Sequence, residues 1–188
     1  MIINLRALNT VTVKLEPGAE EGTATITAGT LTSEVVEAAH AADAHIMTGV
    51  CNTVGVVSAL IGGGLGNLVS LYGLGVDNML SARLITASGD IVTVSEKENA
   101  ELWWGLRGAG HNFGIVSELT VKAYKQVNGG MHWAGLLAFP GTPEKVEQVV
   151  EAIQGLGLGT ERGKGMGATV IWGRLFPPDF KVSPAHML

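Results

Sequence analysis

Apolar and polar residues alternate from Thr10 to Leu15 and again from Ala24 to Ala28. This is the two-residue period of strands with one buried face, and Pro17-Gly18 between them is a turn signal. From Leu31 to Ala42 the period changes to a helical stripe of valines, alanines and Leu31, with Thr30 or Thr32 placed to cap it. Leu80–Ala87 and Ile91–Val94 flank Ser88-Gly89-Asp90 and read as a hairpin. Asn99 is placed to cap a short helix carrying Leu102, Trp103 and Leu106. A strand follows from Phe113 to Lys122, though its alternation is imperfect: Ile115, Ser117, Leu119 and Val121 lie on one parity, Val116, Glu118 and Thr120 on the other.

A boundary falls at Gln126 to Gly130. His132 to Phe139 then reads as a strand, and Thr142-Pro143-Glu144 opens a helix with Val146, Val149, Val150 and Ile153 at helical spacing. Gly155 to Gly167 reads as a loop and Ala168 to Trp172 as one more strand. Hairpin-connected strands interspersed with helices predict an α+β fold rather than a doubly wound parallel sheet.

The stretch from Gly49 to Gly75 fits none of these periods. Its glycines belong to a chain with 27 glycines in 188 residues, clustered rather than periodic, which excludes a collagen-like or low-complexity chain. Gly62-Gly63-Gly64-Leu65-Gly66 is a poor helix interior. Such a run serves geometry, either as a ligand cradle or as a packing corner, and spacing alone leaves both open.

No Asp, Glu, Lys or Arg occurs from Ala44 to Val76. The many glycines, with Asn52, Thr53, Ser58, Asn67 and Ser70, argue against a membrane span and for a buried, ligand-lining segment. The net charge of −5 and the scattered lysines disfavour nucleic acid as a partner. Cys51 is the single cysteine, so no internal disulfide forms. It is either an inert core thiol or a nucleophile that adds to an electron-poor ring. The first residues show no signal peptide.

Several chemistries are excluded. Gly108-Ala109-Gly110-His111-Asn112-Phe113-Gly114 has the wrong spacing for a dinucleotide fingerprint and leads into a strand rather than out of one. There is no phosphate-binding P-loop, no nucleophile elbow and no zinc-protease motif. The five histidines show no metal-ligand spacing, so no metal is expected.

Five motifs occur in order: Gly49-Val50-Cys51-Asn52-Thr53-Val54-Gly55, Gly62-Gly63-Gly64-Leu65-Gly66, Tyr72-Gly73-Leu74-Gly75-Val76-Asp77-Asn78, Trp103-Trp104-Gly105-Leu106-Arg107-Gly108-Ala109-Gly110 and Asn112-Phe113-Gly114-Ile115-Val116. This succession resembles the FAD-linked oxidases of the vanillyl-alcohol-oxidase and berberine-bridge-enzyme-like family, particularly fungal ones, over about Ile2 to Lys122. The resemblance implies the second subdomain of a PCMH-type FAD-binding domain (1–125) followed by the start of an α+β substrate domain (126–188). It implies FAD as cofactor, with Cys51, Thr53, Val54, Gly55, Gly62, Gly63, Gly64, Gly66, Tyr72, Gly73, Asp77, Asn78, Gly114, Ile115 and Val116 around it. Cys51 matches the position that bonds the flavin through sulfur in bicovalent members. Val54 matches a position associated with dioxygen access, and its small size resembles oxidases.

The implied activity is hydride transfer from a small-molecule substrate to flavin, followed by electron transfer to dioxygen. The competing reading is an inactive flavin-fold remnant that acts as a binding or scaffold protein. The family's upstream Gly-Gly-His-type pyrophosphate loop and its later substrate strands have no counterpart in these residues. The chain is therefore expected to be incomplete, with no assignable catalytic base and no legible substrate. Val57-Ser58-Ala59 stands where many members have Gly-Gly-His. An incomplete clasp is expected to leave Val56, Leu60 and Ile61 exposed as an apolar patch. Location is not legible, although full-length relatives are often secreted.

Overall fold

The computed structural model describes residues 2–131, 137–139 and 142–157. The chain divides into two compact units, Met1–Gly130 and Met131–Leu188.

The first unit is built around one long strand. Its strands are β1 (Val11–Lys14), β2 (Glu21–Thr27), β3 (Ala44–Ile46), β4 (Met79–Ile85), β5 (Ile91–Ser95) and β6 (Ile115–Lys125). The sheet runs β1-β2-β6-β4-β5, with β3 also on β6, and every pairing is antiparallel. β6 therefore has β2 along one edge and, on the other, β4 followed by β3. Mixed helices and an antiparallel sheet are the α+β arrangement expected from the pattern.

The imperfect alternation in β6 has a physical cause. Arg83 pairs with Glu118 but Leu84 pairs with Val116, so Ser117 sits in a bulge and the parity switches there. The buried face is accordingly Val116, Leu119, Val121 and Ala123. Ala24 and Ile26 lie opposite Val121 and Leu119, and both are fully buried.

Helices α1 (Thr32–Ala41), α2 (Val56–Ile61) and α4 (Ala100–Ala109) contribute Val35, Ala39, Val56, Leu60, Trp103 and Leu106 to the same core, and the one-turn α3 spans Val69–Tyr72. Val56 and Leu60 are fully buried and Ile61 nearly so, which corrects the expectation that they form an exposed patch. They belong to this unit's own core. The exposed apolar side chains of the glycine-rich stretch are instead Val50, Val54, Leu65 and Leu74. The short β3 and α2 escape a periodicity reading because neither alternates: β3 is buried throughout.

Two capping expectations are corrected. Leu31, not Thr30 or Thr32, holds the cap position of α1. Asn99 does hold the cap position of α4, but in a left-handed conformation (φ 54°), and its amide donates to the Thr93 carbonyl instead of the helix.

In the second unit, α5 (Pro143–Gly155) starts as expected, with Pro143 in the first turn and the Thr142 hydroxyl accepting from the Lys145 N–H. Leu137 to Phe139 have no regular structure. The rest of the strand expected at His132–Phe139, most of the loop to Gly167 and the strand at Ala168–Trp172 lie outside the described residues.

Candidate functional site

The first element of the candidate site is a turn fastened to a helix end. The opening N–H groups of a helix have no partner inside it. At α1 they are taken by backbone from the Cys51 motif: Thr32 N–H donates to the Val54 carbonyl (3.0 Å) and Ser33 N–H to the Asn52 carbonyl (3.1 Å). Val56 N–H returns a bond to the Thr30 carbonyl (3.0 Å), and Val54 N–H closes the turn on the Cys51 carbonyl (3.2 Å). This is why neither threonine is needed as a cap. Cys51, Asn52, Thr53 and Val54 are all exposed on this turn, and Cys51 is a free thiol. Gly55 is half-buried where the turn enters α2.

The glycine run follows α2 and divides into two kinds. A Cβ on Gly64 would lie 2.6 Å from the Gly75 Cα, and one on Gly66 would lie 1.8 Å from the Thr48 carbonyl oxygen. These two glycines are required by protein packing. A Cβ on Gly63 would meet nothing within 4 Å, as would one on Gly49, and one on Gly62 would make only ordinary contacts at 3.5 and 3.6 Å. The run is thus a packing corner at Gly64 and Gly66 and open backbone at Gly62 and Gly63.

The third segment, Tyr72 to Asn78, is tied to that run. Gly75 N–H donates to the Gly64 carbonyl (2.7 Å) and Val76 N–H to the Gly63 carbonyl (3.1 Å). Gly73 turns the chain with φ 77°. Asp77 accepts from the Leu74 N–H (3.0 Å) and faces the Arg107 guanidinium at 3.5 Å. Arg107 also donates to the Val76 carbonyl and lies over the Trp103 ring.

Asn78 is 1% exposed and its amide is fully used inside the fold. It donates to the Tyr72 and Leu74 carbonyls and accepts from the Tyr124 hydroxyl (2.7 Å). The Tyr72 and Tyr124 rings are stacked at 3.9 Å. Burial pushes both phenols up, Tyr124 further through Glu21 and Tyr72. Tyr124, which no sequence motif marks, is therefore a member of the site's framework. Its signal, a polar-faced aromatic at the end of the central strand, is legible only once the register is known.

Gly114 immediately precedes β6, and Ile115 and Val116 open it. A Cβ on Gly114 would lie 2.3 Å from the Ile85 carbonyl oxygen, and the Val116 side chain is buried in the core. Between Ile115 and Tyr124 the strand rises about 30 Å. The structure thus bonds the glycine run to the Tyr72–Asn78 segment, places the Cys51 turn at the opposite, N-terminal end of α2, and leaves Gly114–Val116 at the other end of β6 from Tyr124.

Two open depressions are present. One, of about 450 Å³, is lined by residues including Tyr72, Tyr124, Glu20 and Lys125. The other, of about 520 Å³, includes Asn112, Phe113, Gly114 and Ile115. Neither is lined by Cys51 or by the glycine run. Among the described residues there is no group of metal-ligating side chains, and no helix is long and apolar enough to cross a membrane.

Residues 1–95 match the FAD binding domain family. The chain is 38% identical over 143 residues to the FAD-linked oxidoreductase azaL of Aspergillus niger, which covers 76% of this chain and 29% of the relative. It is 33% identical over 180 residues to the FAD-linked oxidoreductase pgmH of Aspergillus terreus, covering 96% of this chain and 35% of the relative. Among solved structures, it is similar to glucooligosaccharide oxidase from Acremonium strictum, described with a 6-S-cysteinyl, 8α-N1-histidyl FAD. That match has 32% identity and a TM-score of 0.59, over 65% of this chain and 25% of that one. It is also similar to 6-hydroxy-D-nicotine oxidase from Arthrobacter nicotinovorans, with 36% identity and a TM-score of 0.57, over 64% and 26% of the two chains. The chain therefore spans about a quarter to a third of the length of the relatives it matches.

Proposed function

The chain belongs to the FAD binding domain family, and from that premise we propose that its glycine-rich face holds FAD in an FAD-dependent oxidase acting on a small-molecule substrate with dioxygen as electron acceptor. The observation that carries this reading is the open backbone of Gly62 and Gly63 in a stretch, from Ala44 to Val76, that has no charged residue and also carries the exposed Cys51 turn. A flat, neutral ring system fits such a face: side chains are missing where it must come close, and no charge has to be desolvated.

The residues present fit the cofactor in distinct ways. Gly62 and Gly63 give close backbone approach, while Cys51, Thr53, Val54 and Gly55 lie on the exposed turn at the other end of α2. Gly64, Gly66, Gly73, Asp77 and Asn78 hold that backbone in place. Tyr72, Gly114, Ile115 and Val116 complete the proposed cofactor surroundings. The exposed Cys51 thiol supports a covalent sulfur link like the one named for the Acremonium enzyme. Bound FAD supplies the redox chemistry, accepting hydride from substrate and passing electrons to dioxygen, while the protein supplies orientation and electrostatics. We assign residues 1–125 to the cofactor domain and 126–188 to the beginning of a substrate domain. The end of β6 at Lys125 supports that division.

The test is anaerobic addition of candidate sugars and phenols to the FAD-loaded protein, with the flavin absorbance recorded. Bleaching that reverses when air is admitted is expected. A flavin that no substrate bleaches, in a protein that retains it, contradicts the oxidase reading.

A further inference from the structure

The cofactor face is open backbone, so something must fix its shape. The glycine run cannot do this alone, since Gly62 and Gly63 have no side chains to pack. The run is instead bonded through Gly63 and Gly64 to Val76 and Gly75. That second segment is in turn fastened at three points. Arg107 holds the Val76 carbonyl, Asp77 holds the Leu74 N–H, and the buried Asn78 amide holds the Tyr72 and Leu74 carbonyls.

Arg107 and Asp77 are substantially exposed, so water competes for their bonds. Asn78 is buried, and its oxygen accepts from the Tyr124 hydroxyl. Tyr124 stands on β6, the central strand, paired with Glu21 on one side and His45 on the other. Its ring also stacks on Tyr72, the first residue of the fastened segment. A single side chain on the central strand therefore grips both ends of the segment, Tyr72 by its ring and Asn78 by its hydroxyl.

Resting on the reading that this face holds FAD, we propose that Tyr124 is a positioning residue: it fixes the Tyr72–Asn78 segment, and through that segment's bonds to Gly63 and Gly64 the glycine run whose Gly62–Gly63 backbone the cofactor lies against. Tyr124 need not touch the cofactor to do so. Loss of its hydroxyl leaves a buried amide oxygen without a partner, and the segment opens locally to find water.

The test is hydrogen exchange of the FAD-loaded protein, read by mass spectrometry on peptides, with flavin absorbance and retention measured in parallel. Tyr124→Phe keeps the stacking ring and removes only the hydroxyl; Tyr124→Leu removes both. In Tyr124→Phe, peptides covering residues 62–66 and 72–78 are expected to exchange about tenfold faster. Peptides from the β2–β6 core should be unchanged, the visible flavin band should shift, and FAD should be retained less well. Tyr124→Leu should do the same more strongly, and if it fails to fold, Tyr124→Phe decides alone.

Unchanged exchange in the two segments overturns the proposal. Uniformly faster exchange across β2 and β6 also overturns it, by showing a general structural role. Faster local exchange with unaltered flavin spectrum and retention overturns the link to the cofactor. A wild-type protein that takes up no FAD is a failure of the functional reading itself, recognisable from the absent flavin absorbance, and the exchange of residues 72–78 in Tyr124→Phe still decides whether Tyr124 fixes that segment.

Discussion

Gly64 and Gly75 meet backbone to backbone: the Gly75 N–H donates to the Gly64 carbonyl over 2.7 Å, and a Cβ on Gly64 would lie 2.6 Å from the Gly75 Cα. The contact joins the glycine run to the Tyr72–Asn78 segment. It also separates glycines that the fold needs from glycines that leave room for something else.

Two alanine substitutions should therefore behave oppositely. Gly64→Ala, at φ 72° and in steric conflict, should destabilise the fold by about 2 kcal/mol or more. Gly62→Ala, at φ −92° with ordinary contacts, should change stability by less than about 1 kcal/mol yet lower FAD retention. Urea unfolding and flavin content on both variants check this. Equal flavin content in Gly62→Ala and wild type contradicts the assignment of Gly62 to the cofactor face.

Asn78→Ala should be far more damaging than its polar character suggests. It strips partners from the Tyr72 and Leu74 carbonyls and from the Tyr124 hydroxyl at once. A loss of about 3 kcal/mol is expected, against less than about 0.5 kcal/mol for Asn52→Ala on the exposed turn. Denaturant midpoints that fall by similar amounts in the two variants contradict the buried network.

The Arg6–Glu34 pair gives the fold an acid-sensitive joint. Arg6 first, and then the Leu31 N–H, hold the Glu34 carboxyl below its ordinary value of 4.5. A depressed folded value means that the stabilisation is present above the unfolded value and is lost as pH falls through the folded one. The difference in Tm between wild type and Glu34→Gln should be steady from about pH 7 down to the ordinary carboxylate range and should shrink by about pH 3. A difference that grows in acid has the wrong sign for this account.

Much of the fold was legible because its signals are local. The hairpin at Ser88-Gly89-Asp90, the stripe of α1 and the Pro143 start of α5 each declare themselves within a few residues. β3 did not, because full burial erases the alternation that marks a half-buried strand, and α2 did not, because six residues between glycines are too short to show a helical period. The cap of α1 was misread because its partners, the carbonyls of Asn52 and Val54, arrive from a distant turn. The expected exposure of Val56, Leu60 and Ile61 failed for a related reason: α2 packs into a core that β6 and α4 complete from much later in the chain. In the candidate site, the motifs marked Cys51 and the glycines. They did not tell Gly62 from Gly64, which differ only in what stands beside them, nor did they mark Tyr124, whose role depends on strand register.

The most direct measurement of the central claim is the reactivity of Cys51. Its thiol is exposed on the turn that leads into α2, the helix whose other end opens the glycine run. Alkylation of FAD-loaded and FAD-depleted protein, followed by mass analysis of the peptide containing Cys51, asks whether the cofactor covers or bonds that residue. The account predicts ready labelling without FAD and at least about tenfold slower labelling with it, or a flavin mass on the peptide where a sulfur bond forms. Equal labelling of Cys51 in both states, with FAD demonstrably bound, would place the cofactor on another surface and contradict the assignment of this face.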